Sequence, residues 1–306
     1  MLDPQELYAL AEGLPELGRP TLVHALSGFV DAGSGAELAR DHLLNSLDAR
    51  LIASFDVDQL LDYRSRRPVM TFAEDHWEDY DEPSLGLHLL HDDAGTPFLL
   101  LAGLEPDLLW NRFAAAMIGL VERLGVRLTV GLNAIPMAVP HTRPLGITAH
   151  ATRPELVAGH EPWLNRVQVP GSASNLLEYR LGHHGHDAMG FAVHVPHYLA
   201  QTAYPAAAEA LLGAVSRATG LLLPTGALHS AAEIAGADID AQIAQADEAS
   251  ALVRALEQQH DAFVRGRDSA NLLVTDTDAL PSADELGAEL ERFLAEQPGP
   301  GDQPGR

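Results

Sequence analysis

The chain has 306 residues, 19 of them basic and 43 acidic, for a formal net charge of -24. That length fits one large domain with an appendage, or two small domains, and 46% hydrophobic against 20% charged residues allows a sizeable core. The charge argues against nucleic acid and anionic membrane surfaces as partners, because both need a concentrated basic patch.

Two residue types are missing altogether, Cys and Lys. Without Cys there are no disulfides, thiolate metal sites or Cys nucleophiles. Without Lys there is no phosphate-binding Walker loop and no Schiff-base chemistry. Neither Gly-x-Ser-x-Gly nor His-Glu-x-x-His occurs. The first six residues lack the basic start and apolar run of a signal peptide. No apolar stretch approaches the roughly 20 residues that span a bilayer. A cytoplasmic location is the expectation.

Residues 20–27 read as a buried strand bounded by Pro20 and Gly28. A glycine-rich turn follows through Gly28, Phe29, Asp31 and Gly33 to Gly35. Ala36, Leu38, Ala39, Leu43, Leu44 and Leu47 then recur at helical spacing. A strand from 50 to about 57 completes a βαβ pattern, which predicts a parallel pair with a right-handed crossover. Residues 62–84 begin with a basic island, Arg64, Arg66 and Arg67, and continue as a long loop with an irregular edge strand. Residues 86–91 and 97–102, parted by Asp92-Asp93-Ala94-Gly95, suit a hairpin.

Leu109, Phe113, Met117, Leu120, Val121 and Leu124 predict a helix over 107–124, ended by Gly125. Residues 126–132 read as another buried strand. It runs into a loop from Asn133 to Pro144, whose prolines should not continue a central strand. Short strands are expected at 146–151 and 166–169, a helix at 172–181 and the last strand at 188–195. Pro205 sits in the first turn of a helix reaching 220, and residues 226–264 suggest two outer helices. From 268 the chain turns acidic. Ser282-Ala283-Asp284-Glu285 is a capping-box pattern that predicts one short helix, and the final ten residues are expected to be disordered.

The alternation predicts a three-layer α/β fold, a mostly parallel sheet with helices on both faces. The expected division is a core over 1–224, a helical appendage over 225–266 and an acidic, largely disordered tail over 267–306.

Gly33-Ser34-Gly35 after a strand suggests a dinucleotide fingerprint, but Leu38 holds the third glycine position and the turn is too long. The turn either relieves crowding at a strand–helix connection or opens a pocket at the sheet edge. Such a pocket would be lined by Gly28, Phe29, Asp31, Gly33, Asn133, His141 and Arg143. His183, His184 and His186 read as a solvated helix end rather than converging metal ligands. Tyr198 and Tyr204 follow the last strand, where they pack beneath a loop or join the arginine island in contacts with the acidic surface of another subunit. No cofactor is expected.

Taken in order, Gly28-Phe29-Val30-Asp31-Ala32-Gly33, the Asn133–Pro140 loop, Val169-Pro170-Gly171, His194-Val195-Pro196-His197-Tyr198 and Tyr204-Pro205-Ala206-Ala207-Ala208 resemble the proteasome assembly chaperone family. They are most similar to its bacterial branch, common in actinobacteria. The resemblance covers roughly residues 1–265. It implies a fold similar to purine nucleoside phosphorylases, a homo-oligomer, a protein partner and no established catalytic residues, so a non-enzymatic assembly module is the expectation. The phosphorylase-like fold leaves as the alternative an enzyme or enzyme relic acting on a nucleoside or phosphorylated small molecule. Archaeal and eukaryotic relatives hold proteasome α-subunits, and several end in a hydrophobic–Tyr–any-residue docking tail. This chain ends Asp302-Gln303-Pro304-Gly305-Arg306, so docking through such a tail is not expected.

Overall fold

A computed structural model describes residues 3–28, 30–160 and 166–272. The chain divides into two units, Met1–Glu257 and Gln258–Arg306. In the second unit the described residues are the last turns of one helix. The helix expected after Ser282, the terminal segment and Phe29 lie outside the described residues.

In chain order the first unit opens with β1 (Tyr8–Leu10), β2 (Thr21–Ser27), α1 (Gly35–Ser46), β3 (Arg50–Phe55) and the single turn α2 (Val57–Leu60). Next come β4 (Met70–Ala73), β5 (His76–Tyr80), β6 (Leu85–His91), β7 (Pro97–Leu104), α3 (Trp110–Arg123) and β8 (Leu128–Met137). The remainder is β9 (Ile147–Ala151), α4 (Ala173–His183), β10 (Ala188–Pro196), α5 (Pro205–Thr219), α6 (Gly226–Ala244) and α7 (Asp247–Leu272). No helix among the described residues is long and apolar enough to cross a membrane.

Eight strands form one sheet in the order β1-β3-β6-β7-β2-β8-β10-β9. The central run β7, β2, β8 and β10 is parallel, and every pairing outside it is antiparallel. The α/β fold stands, with a sheet that is mixed rather than mostly parallel. The expected parallel pairing of β2 with β3 does not form. β3 lies three places away and pairs antiparallel with β1 and β6. The burial pattern explains this. β2 is apolar on both faces and takes a central position, whereas β3 keeps Leu51 half exposed and belongs near an antiparallel margin.

Successive residues of the central strands feed two cores. Val23, Ala25, Leu100 and Val130 pack with Ala39 and Leu43 of α1, Leu211 and Val215 of α5, and Leu228 and Ile239 of α6. Leu22, Leu99 and Leu101 pack on the other face with Phe113 and Met117 of α3 and Leu177 and Leu181 of α4. The period of two along each strand thus produces the three layers.

Two further expectations are corrected. β8 does not stop at 132 but runs to Met137 with Pro136 in register opposite Val195. β2 leaves β8 after the pair His24–Gly131, and among the described residues only a single bridge, Asp31 to Ala134, continues on that side. The far end of β8 is therefore an edge, where proline is tolerated. Residues 166–169 form no strand. Val167 and Val169 mimic an alternating pattern but remain exposed.

Candidate functional site

The turn after β2 is closed on itself. The Asp31 carboxylate accepts the N–H groups of Ala36 and Glu37 at 2.8 and 2.9 Å and so caps α1. Burial raises its pKa, and those two hydrogen bonds offset only part of the rise. Gly33 has φ 66, a left-handed conformation that glycine adopts without strain. Its N–H donates to the Ala200 carbonyl and its carbonyl accepts the Tyr204 N–H, both at 2.8 Å. A Cβ there would lie 2.8 Å from the Tyr204 Cβ. The turn locks β2 to the connection between β10 and α5.

The loop after β8 is carried away from this turn because β8 is longer than expected. The His141 backbone N–H donates to the Tyr198 hydroxyl at 2.9 Å. Its ring bridges that hydroxyl, 2.7 Å from Nδ1, and Asp240 of α6, 3.0 Å from Nε2. Burial raises the Tyr198 pKa. Arg143 pairs with Glu257 at 3.2 Å. Tyr204 belongs to the core, and its burial pushes the phenol up to about 12. It is a packing residue rather than a contact residue. The expected pocket is accordingly not assembled. Gly28 and Asn133 share a cavity, while Asp31, Gly33, His141 and Arg143 face elsewhere.

That cavity, of about 260 Å³, opens at the carboxyl ends of β2 and β8 beside α4. Sequence reasoning missed most of its polar groups, namely His24, Glu105, His150, Ser174 and Glu178. Glu105 is buried, and its Oε1 accepts the Ser174 N–H at the start of α4, 3.2 Å away. It also presses on Gly28, where a side chain would collide with its carboxylate.

The cavity sits next to a row of four residues in register across four strands. His24 of β2 lies opposite Gly131 of β8, which lies opposite Gly190 of β10, which lies opposite His150 of β9. A Cβ on Gly131 would meet the His24 ring, and one on Gly190 would meet the His150 ring. Each imidazole therefore occupies the space its neighbour's missing side chain leaves. His150 Nδ1 donates to Glu178 Oε1 of α4 at 2.9 Å. Burial holds His24 down to about 4, with the nearby Glu178 charge acting in the opposite sense. Besides Gly28 and Asn133, a histidine breaking the apolar run of 20–27 was the signal of this site in the sequence.

A second surface lies at the basic island. β4 and β5 form a separate two-stranded ribbon. Met70 pairs with Tyr80 and Phe72 with Trp77, and a register shift lies between the two pairs. Trp77 and Tyr80 are three apart and would otherwise point to opposite faces. The extra residue at the bulge returns all four apolar side chains to one face. They remain exposed, Trp77 at 62% and Phe72 at 57%, and these two rings meet edge to face at 5.1 Å. A groove of about 560 Å³ runs alongside and includes Arg40, Arg66, Arg67 and Val69. Arg66 is anchored to Asp107 at 2.9 Å and to the Ser27 carbonyl, whereas Arg64 and Arg67 are exposed.

The histidines at the end of α4 act locally. His183 and His184 bond the carbonyls of Tyr179 and Arg180, and His186 contacts Glu122. Among the described residues no three His, Asp or Glu side chains converge on a metal position.

These features define a three-layer α/β protein with a small polar cavity at its sheet edge and an apolar ribbon standing clear of the core. The model of the PAC2 family matches residues 25–243, and the chain belongs to that family. Among solved structures, a Mycobacterium tuberculosis protein of unknown function, Rv2714, is 54% identical with a TM-score of 0.84, over 87% of this chain and 92% of that one. A Corynebacterium glutamicum protein of unknown function is 43% identical with a TM-score of 0.81, over 84% and 98% of the two chains. The Mycobacterium tuberculosis proteasome-assembly chaperone homologue Rv2125 is 26% identical with a TM-score of 0.70, over 76% and 99%. Comparison with curated proteins gave no match.

Proposed function

We propose that the chain is a non-enzymatic, assembly-chaperone-like protein-binding module of the cytoplasm. It works as a homo-oligomer joined through the β4–β5 ribbon and receives a proteasome-related protein partner. The carrying observation is the ribbon. An isolated two-stranded hairpin is marginal in water, and this one directs Met70, Phe72, Trp77 and Tyr80 outward. A contiguous exposed apolar face of that kind marks a contact surface, and Trp, Tyr and Arg are the residues that dominate such contacts. The exposed guanidinium groups of Arg64 and Arg67 stand beside it on a chain of net charge -24, which makes another copy of the same acidic chain a complementary neighbour. Membership of the PAC2 family and likeness to a proteasome-assembly chaperone homologue support the choice of partner.

Sedimentation velocity tests the assembly. The wild-type chain is expected to sediment as an oligomer and the double variant Phe72→Asp/Trp77→Asp as a monomer. A wild-type chain that stays monomeric at every concentration overturns self-association. Co-purification with proteasome α-subunits tests the partner separately, and its repeated failure removes that half of the reading.

A further inference from the structure

The cavity at the carboxyl ends of β2 and β8 takes no part in ribbon-mediated assembly. Its volume is about 260 Å³. That volume suits a compact molecule. Two carboxylates, Glu105 and Glu178, line it, and among the described residues no arginine does. One oxygen of each is engaged, Glu105 Oε1 by the Ser174 N–H and Glu178 Oε1 by the His150 ring. The second oxygen of each accepts no hydrogen bond among the described residues. An anionic ligand would meet two like charges with no counter-ion.

His24 supplies an independent observation. It is 3% exposed, it lines the same cavity, and its Nδ1 has no hydrogen-bond partner among the described residues. Buried polar groups almost always have partners, so an unpartnered ring nitrogen on a side chain that lines a cavity asks for one. Burial keeps this ring uncharged at neutral pH, so it can accept a hydrogen bond. Leu26, Val30, Ile135 and Pro136 provide an apolar wall for a short alkyl segment.

We propose that this cavity binds a small organic cation, an amine or guanidine. Glu105 and Glu178 provide the counter-charge, and the His24 imidazole accepts one of the ligand's N–H groups. The arrangement matches the usual composition of small-molecule sites, an apolar enclosure with a few placed polar groups.

Agmatine is a suitable probe, with inorganic phosphate and citrate as anionic controls. Calorimetry on the full chain is expected to show saturable agmatine binding and no binding of either anion. Glu105→Gln and Glu178→Gln are each expected to weaken agmatine about tenfold, the loss of one charge-assisted hydrogen bond. Should either variant fail to fold, ring NMR of the wild-type chain decides. Agmatine must then shift the His24 signals and leave those of the exposed His183 unmoved. Absence of agmatine binding up to millimolar concentration, unchanged affinity in both variants, or binding of phosphate in its place overturns the proposal. Ribbon variants leave this cavity intact, so the failure of one reading is distinguishable from the failure of the other.

Discussion

The β4–β5 ribbon and the His24–Gly131–Gly190–His150 row invert the ordinary distribution of side chains in opposite directions. The ribbon puts Trp77, Phe72, Met70 and Tyr80 into solvent. The row brings a buried histidine and two glycines into the interior of a sheet whose central strands are otherwise mostly apolar. Scattered exposed apolar residues are normal, but a one-sided apolar ribbon and a buried polar group without a partner are informative. The contrast separates two kinds of incompleteness. The ribbon lacks a macromolecular surface to cover it, and the cavity beside the row lacks a small polar occupant.

If this contrast is right, substitutions in the row act on folding and those in the ribbon act on association. The largest effect on stability is expected from Gly131→Val. The new side chain has to displace the buried His24 ring, so urea unfolding should show a loss of about 3 kcal/mol. A loss below about 1 kcal/mol would mean that the ring moves freely and that the row is not a packed unit.

Acid titration sharpens the same point. Burial holds His24 and His194 down to about 4, from an ordinary value of 6.5. Both rings stay neutral in the fold while the unfolded chain takes up protons below pH 6.5. Stability is therefore complete above pH 6.5 and falls toward pH 4, by about 1.4 kcal/mol per pH unit for each ring. His24→Leu removes one of the two contributions, and thermal unfolding between pH 7 and pH 4.5 should show a shallower decline. An unchanged slope would place His24 in contact with solvent.

Next in size is Asp31→Ala, which removes both cap hydrogen bonds at α1 and should cost about 1 kcal/mol in the same unfolding measurement. The smallest effect belongs to the ribbon. Phe72→Asp/Trp77→Asp should change the stability of the dissociated chain by no more than about 0.5 kcal/mol while altering its sedimentation. A ribbon variant that unfolds the core would show that the ribbon contributes to folding as well as to association.

Much of the fold was legible because the periods were strong. Phe113, Met117, Leu120 and Val121 mark α3, and the apolar run of 20–27 marks a central strand. The position of β3 was not legible, since sheet order depends on which strands can tolerate a half-exposed face. The ribbon was hidden by its bulge, which interrupts the alternation that signals a strand. The candidate site was harder still. Its histidines become meaningful only through register with glycines from other strands, and those pairings depend on the tertiary fold. His141 and Arg143 misled because β8 extends past its first proline and takes them to α6 and Glu257 instead.

The row has a consequence for how the sheet can change over successive mutations. A ring and the bare backbone opposite it fill one shared volume, as His24 does with Gly131 and His150 with Gly190. Enlarging the glycine or shrinking the histidine alone is unfavourable, but a matched exchange of volume restores the packing. The two members of each pair are expected to be non-additive in double-mutant cycles, so a path that alters one position must pass through a less fit intermediate or change both together.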